Sequence, residues 1–217
     1  MPTPKERLSH LLELAAQGPA ERAALAGEVA DLLLDWPAQY PAAMRGTFEA
    51  LLEKIVREVD TAGCAALAAR FEGRADFPLS LLNAFFASAS PAMKQAILSR
   101  NDEGEAADVA PVDSQAVLGA ARGQRDFVPV LAHLTGIPPD LAAIIAADAY
   151  ALATLCKGAG ISRPTFSAMA ILTGPARSVA ENFAMLALFD AVPQNGARHL
   201  VAYWRGRNDG AGREAAA

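Results

Sequence analysis

Soft ligands and acid-base side chains are scarce in this chain: two cysteines and three histidines serve 217 residues. Cys64 and Cys156 stand far apart in Ala-rich surroundings with no C-x-x-C spacing. They read as small buried hydrophobes of a reducing compartment. The histidines belong to no motif: His10 falls on the polar side of a first helix, His133 sits among apolar residues, and His199 precedes Leu-Val-Ala-Tyr. H-E-x-x-H, G-x-G-x-x-G, G-x-x-x-x-G-K-[ST] and G-x-S-x-G are all missing, so metal-assisted hydrolysis, phosphate cradling and a nucleophile elbow lose their usual scaffolds. Asp102 and Glu103 lie in an open polar stretch that does not support an acid-base role, and the carboxylates around them lack calcium-loop spacing. No catalytic, cofactor-binding or metal-ligating residue is expected, and the chain reads as a non-enzyme.

Long apolar runs are missing as well. The longest, Leu141 to Cys156, is interrupted by Asp148 and falls short of the roughly 20 residues that span a bilayer. Met1-Pro-Thr-Pro-Lys-Glu-Arg7 has no apolar core after its positive residues, so no secretory signal is read and a cytoplasmic location is expected. Net charge is -5, which gives no average attraction to a phosphate backbone or an anionic membrane. Nucleic acid and membrane are therefore not the expected partners; another protein is.

Aromatic residues are only 6% of the chain against 53% hydrophobic, because Ala and Leu supply the apolar content, and these lose least on entering a helix. No segment alternates apolar and polar for long enough to make a strand. The expected fold class is all-α, without a sheet.

Thr3-Pro4-Lys5-Glu6 is a capping box with Pro at the first helical position, opening a helix through Leu8, Leu11 and Leu12 to Gln17. Leu25, Val29, Leu32 and Leu33 recur at helical spacing until Trp36-Pro37. Phe48, Leu51, Leu52, Ile55, Val56 and Val59 form the clearest amphipathic stripe, with Glu53 and Arg57 paired on its polar side. Further helices are read over 62–71, 79–88 and 92–100, the last capped by Ser90-Pro91. The polar run 101–111 is read as a solvated acidic loop between an N-terminal half, 4–100, and a C-terminal half, 112–205. In the second half Asp113 caps a helix to Ala121, and others cover 127–134, 138–145, 152–157 as continuation or restart, 162–174, 176–191 and 196–205. Val179, Phe183 and Leu186 are placed on one packing face of the 176–191 helix. Residues 206–217 are small and charged and are expected to be a disordered tail.

The wording of several of these segments resembles the bacterial domain-of-unknown-function family DUF 2336, HEAT-like helical repeat proteins. The likeness is carried by Asp113-Ser-Gln-Ala-Val-Leu-Gly-Ala-Ala-Arg-Gly-Gln-Arg-Asp-Phe127, Leu131-Ala-His-Leu-Thr-Gly-Ile-Pro138, and Leu152 to Ile161 with Phe166. Asp108-Val-Ala-Pro-Val112 is similar to a repeat entry and Leu8 to Leu34 to the opening helices. The resemblance implies an irregular HEAT-like array of short antiparallel helix pairs, stacked with one extended surface left for partners, and implies nothing about activity.

Two segments rise above this background. Leu155 to Met169 resembles a DNA-binding helix-turn-helix, in which Gly160 makes the turn and Ser162, Arg163 and Thr165 begin the recognition helix. Few further cations accompany them, so packing is the rival reading. The group Arg198, Tyr203, Trp204, Arg205 and Arg207 places two aromatics among cations. Tyr203, Trp204 and Arg205 are the candidate interaction surface, with Trp204 equally able to cap the core.

Overall fold

The computed structural model describes residues 19–74, 76–105, 107–123, 127–173 and 178–214, and every regular element among them is helical. The expected capping box at Thr3, the first helix to Gln17 and His10 lie outside these residues. The chain divides into two compact units, residues 1–94 and 95–217.

The first unit holds α1 (Pro19–Leu34), α2 (Ala42–Val56), α3 (Thr61–Arg70), α4 (Leu79–Phe85) with a 3-10 turn at Phe86–Ser88, and the start of α5 (Pro91–Asp102). Pro19 opens α1 because its missing N–H would have no helical partner there. The helix ends before Trp36-Pro37, and Leu25, Val29, Leu32 and Leu33 are buried. The expected stripe of α2 buries Phe48, Leu52, Ile55 and Val56, with Arg57 bonded to Glu53 at 2.6 Å on its solvent side. Val59 lies beyond the last turn and is half-buried. Asp60 caps α3 by accepting from the Gly63 N–H at 2.8 Å. Arg70 then ties α3 back to α1, pairing with Asp31 and donating to the Gly27 carbonyl. Phe71 packs edge-on to Phe77 at 4.8 Å and stacks on Phe85 at 5.2 Å. The Arg45 guanidinium covers Phe77 at 4.9 Å and is held by Asp76 at 2.8 Å.

The second unit continues α5 from Gln95 and adds α6 (Ser114–Gly123), α7 (Phe127–Thr135), α8 (Pro139–Ala147), α9 (Ala149–Gly158), α10 (Arg163–Thr173), α11 (Val179–Ala191) and α12 (Gln194–Glu214). One turn occurs twice in it. After α7, Gly136 adopts φ 72° and the Ile137 N–H donates back to the Ala132 carbonyl; after α9, Gly160 adopts φ 77° and Ile161 donates to Cys156. This is a Schellman cap, which needs a left-handed residue and so selects glycine. Each following isoleucine is buried. The Ala-Gly-Ile and Thr-Gly-Ile wording is thus a geometric requirement for reversing the chain between paired helices.

Asp148 settles the open question between α8 and α9. Its backbone is extended and its carboxylate accepts from the Ala151 N–H at 2.7 Å, so the second helix restarts. Nearly all of α9 is buried, and it packs against α8, α10, α11 and α12. Helix α12 crosses α9 at backbone contact: a methyl added at Gly158 would overlap the Ala197 carbonyl and lie 2.7 Å from Val201 Cγ2. At Gly196 the added methyl would overlap the Leu98 carbonyl of α5.

Four expectations change. The segment 101–111 is not simply solvated. Asn101 and Asp102 complete α5, Asn101 is buried, and the following turn is tied to α12 through Asn195 Nδ2, which donates to the carbonyls of Asp102 (3.1 Å) and Gly104 (2.8 Å). The division between compact units falls earlier, at Lys94 and Gln95. The tail expected from 206 is helical to Glu214, because extending a formed helix adds one bond per residue without a new nucleation cost and no proline follows Trp204 to stop it. The face Val179, Phe183 and Leu186 is not a packing face, since Met185 and Phe189 point inward instead.

Two stability measurements follow. Ile55→Asp should lower unfolding free energy in urea by about 3 kcal/mol or more, because it places an unpaired charge in the buried α2 stripe; an unchanged midpoint would show that stripe unpacked. Gly158→Ala should destabilise by about 1–3 kcal/mol through overpacking. Gly119→Ala, on a helix position with nothing within 4 Å, should stabilise by about 0.5–1 kcal/mol. Equal responses at the two glycines would refute the close crossing.

Candidate protein-interaction surface

Of the residues singled out at the C-terminus, Trp204 belongs to the core. Trp204 is 1% exposed and among the largest fully buried side chains. Arg205 lays its aliphatic stem on Gly136, donates from Nε to the Thr135 carbonyl at 2.7 Å, and donates from Nη2 to the Ala110 carbonyl at 3.2 Å. Partial burial lowers its pKa. This guanidinium closes the carbonyl end of α7, where a cation is favoured. Tyr203 is half-buried and Arg198 likewise. Of the candidate surface Tyr203, Trp204 and Arg205, the burial of Trp204 removes that side chain, as its capping of the core implies, while Tyr203 and Arg205 stay partly exposed.

The Leu155–Met169 segment folds as two helices about Gly160, as its wording implies, but its cation is spent internally. Arg163, at the start of α10, makes a two-pronged ion pair with Asp190 near the end of α11, Nε to Oδ1 at 2.8 Å and Nη2 to Oδ2 at 2.9 Å. Lys157 caps the same helix end by donating to the carbonyls of Phe189 and Asp190 at 2.9 and 3.2 Å. The bond from Arg163 holds the Asp190 carboxyl below the usual aspartate range, with Lys157 adding to the effect, and Asp190 in turn raises Arg163. Ser162 and Thr165 share a hydrogen bond at 2.9 Å in the first turn of α10. This cluster locks α11 onto α9 and α10, and Phe166 stacks on Phe189 at 4.8 Å beneath it.

Among the described residues no group of three or more His, Cys, Asp or Glu is placed to hold a metal ion, and no single helix is long and apolar enough to cross a membrane. His133 is exposed; His199 is half-buried with Nε2 on the Glu105 carbonyl. Cys64 and Cys156 are both free and buried, and burial pushes the Cys156 thiol far up.

What the sequence reading missed is that the outer face of α11 is left uncovered. Val179 and Phe183 are 73% and 67% exposed, and Ile171 on α10 is 63% exposed. Ala180, Ala184, Ala187 and Ala191 are also exposed. Because Arg163 at the N-terminal end of α10 meets Asp190 at the C-terminal end of α11, the two packed helices run antiparallel. Ile171 thereby comes to the end where Val179 begins. Val179, Ala180, Phe183, Ala184, Ala187 and Ala191 make its exposed side apolar, and its two exposed charges are engaged, Asp190 with Arg163 and Glu181 in the capping box with Ser178. An amphipathic surface helix would place its charges there. The detectable signal was composition: apart from Glu181, Asn182 and Asp190, every residue of α11 is apolar, more than one buried side requires.

Comparison with protein-family models, with curated proteins and with solved structures finds no match for this chain.

NMR titration tests the lock. Asp190 should titrate below the ordinary aspartate value and return toward it in Arg163→Ala. A depressed folded-state pKa means the stabilisation is complete above the unfolded aspartate pKa and is lost as pH falls through the folded value. An unshifted Asp190 in the parent protein would show that the pair does not hold in solution.

Proposed function

We propose that this chain is a non-enzymatic helical-repeat interaction module, an adaptor or regulator that docks another protein on the open apolar face of α11 and the adjoining end of α10. The observation that carries this reading is the exposure of Ile171, Val179 and Phe183 on a helix pair, since clustered large apolar side chains left in water mark interaction sites. The repeated Gly-Ile turn and the helix-pair organisation fit the HEAT-like likeness, and in this reading the protein is a cytoplasmic member of the DUF 2336 family. The chemistry of the remaining side chains supports the same view: the cations best placed to act on a ligand, Lys157, Arg163 and Arg205, are engaged with helix ends of the protein itself.

The rival reading, DNA contact through Ser162, Arg163 and Thr165, is weakened by the Arg163–Asp190 pair, which neutralises the one cation of that turn. Tagged parent protein, Phe183→Asp and Arg163→Ala should be used to capture partners from lysate of the native cells, with and without nuclease. A nuclease-resistant protein held by the parent and by Arg163→Ala, and lost with Phe183→Asp, is the expected result. DNA recovery abolished by Arg163→Ala, or capture indifferent to Phe183→Asp, would overturn the proposal.

A further inference from the structure

The exposed arc of α11 has a self-complementary order of sizes. Along it, large Val179 and Phe183 occupy the N-terminal end, and small Ala187 and Ala191 the C-terminal end, all on the solvent side. If two such helices lie antiparallel about a two-fold axis through position 185, Phe183 falls opposite Ala187 of the other copy and Val179 opposite its Ala191. The same two pairings recur reciprocally on the other side of the axis. A two-fold contact must use one patch twice, so a large residue on one half of the patch needs a small one on the other. Alanines also let helix backbones approach closely enough for the phenyl ring to sit between them.

Charge agrees with size. Of the two exposed charges of α11, Glu181 is held in the capping box with Ser178, and Asp190 faces Ala180 of the other copy in this register and carries its own counter-ion, Arg163, at 2.8 and 2.9 Å. Two copies of an acidic protein can therefore meet here without bringing uncompensated like charges together. Area sets the strength. Three large side chains about two-thirds exposed leave on the order of 300 Å² of apolar surface per copy, taking roughly 150–250 Å² for an aromatic and less for an aliphatic. Over the two copies these side chains bring together on the order of 600 Å², which places the contact among weak associations.

We infer that the occupant of this face is a second copy of the chain, joined α11 to α11 in antiparallel register as a weak, concentration-dependent two-fold dimer. The inference rests on the reading of this face as a docking surface and names its partner. Sedimentation velocity of the purified full chain from about 1 to 500 µM should show a monomer–dimer equilibrium with a dissociation constant on the order of 100 µM. Phe183→Glu and Ala187→Lys, both on exposed positions, should each remain monomeric over this range while keeping the parent's far-UV spectrum and melting temperature. An equimolar mixture of the two variants should recover a heterodimer, because the new glutamate and lysine meet across the axis while the other Phe183–Ala187 contact stays native.

A parent protein that is monomeric throughout, a dimer that survives both substitutions, or a mixture that stays monomeric overturns the proposal. If a different protein is captured through Phe183 while the parent stays monomeric, the second-copy proposal falls and the docking surface stands. If neither dimer nor capture depends on Phe183, both fall.

Discussion

The backbone-to-backbone crossing of α12 with α9 is the constraint on which the C-terminal unit depends. Gly158 lets the Ala197 carbonyl come where a Cβ would otherwise sit, and Gly196 does the same against Leu98 of α5. With those two side chains absent, α12 lies deep enough for Leu200, Val201 and Trp204 to be buried together with Leu152, Leu155 and Cys156. Depth also brings the polar groups of α12 within reach of backbone that would otherwise face water. Asn195 takes the Asp102–Gly104 turn, His199 the Glu105 carbonyl, and Arg205 the end of α7. One close contact between small residues therefore organises a core, a turn and a helix terminus, since buried or half-buried carbonyls must find donors.

Arginine and lysine are used consistently in both units. Arg74 reaches the carbonyl of Leu34 at the end of α1, Lys157 reaches Phe189 and Asp190, and Arg205 reaches Thr135. The last carbonyls of a helix lack N–H partners and carry partial negative charge, so a cation on a neighbouring helix both satisfies them and fixes the helix pair. Arrays of short helices have many such ends in proportion to their length. A large share of their cations becomes structural, which is why cationic motifs in this chain mislead when read for ligand recognition.

Against this closure α11 stands out. It is fastened at its C-terminal end by Lys157 and Arg163 and along its inner side by Met185 and Phe189, and it opens with a full capping box between Ser178 and Glu181. Its apolar outer face is thus held in a fixed orientation by a rigid support. A preorganised apolar face loses little ordering entropy on association, which favours a docking role over an incidental exposure.

The amino-acid order by itself determined the all-helical class, most helix limits, the α2 stripe and the buried cysteines. Each of these follows from local periodicity, caps and turn residues acting over a few positions. Gly136 and Gly160 were legible as breaks because a left-handed turn demands glycine wherever it occurs. What only the tertiary structure decided is which apolar residues find a neighbour. Val179 and Phe183 obey helical spacing as well as Phe48 and Leu52 do, yet only the latter pair is buried. Trp204 and Arg163 have the composition of a binding site, yet the core takes one and Asp190 the other. Periodicity reports that a helix has an apolar side; it carries no information about which sides other helices cover, because that depends on contacts between residues far apart in the chain.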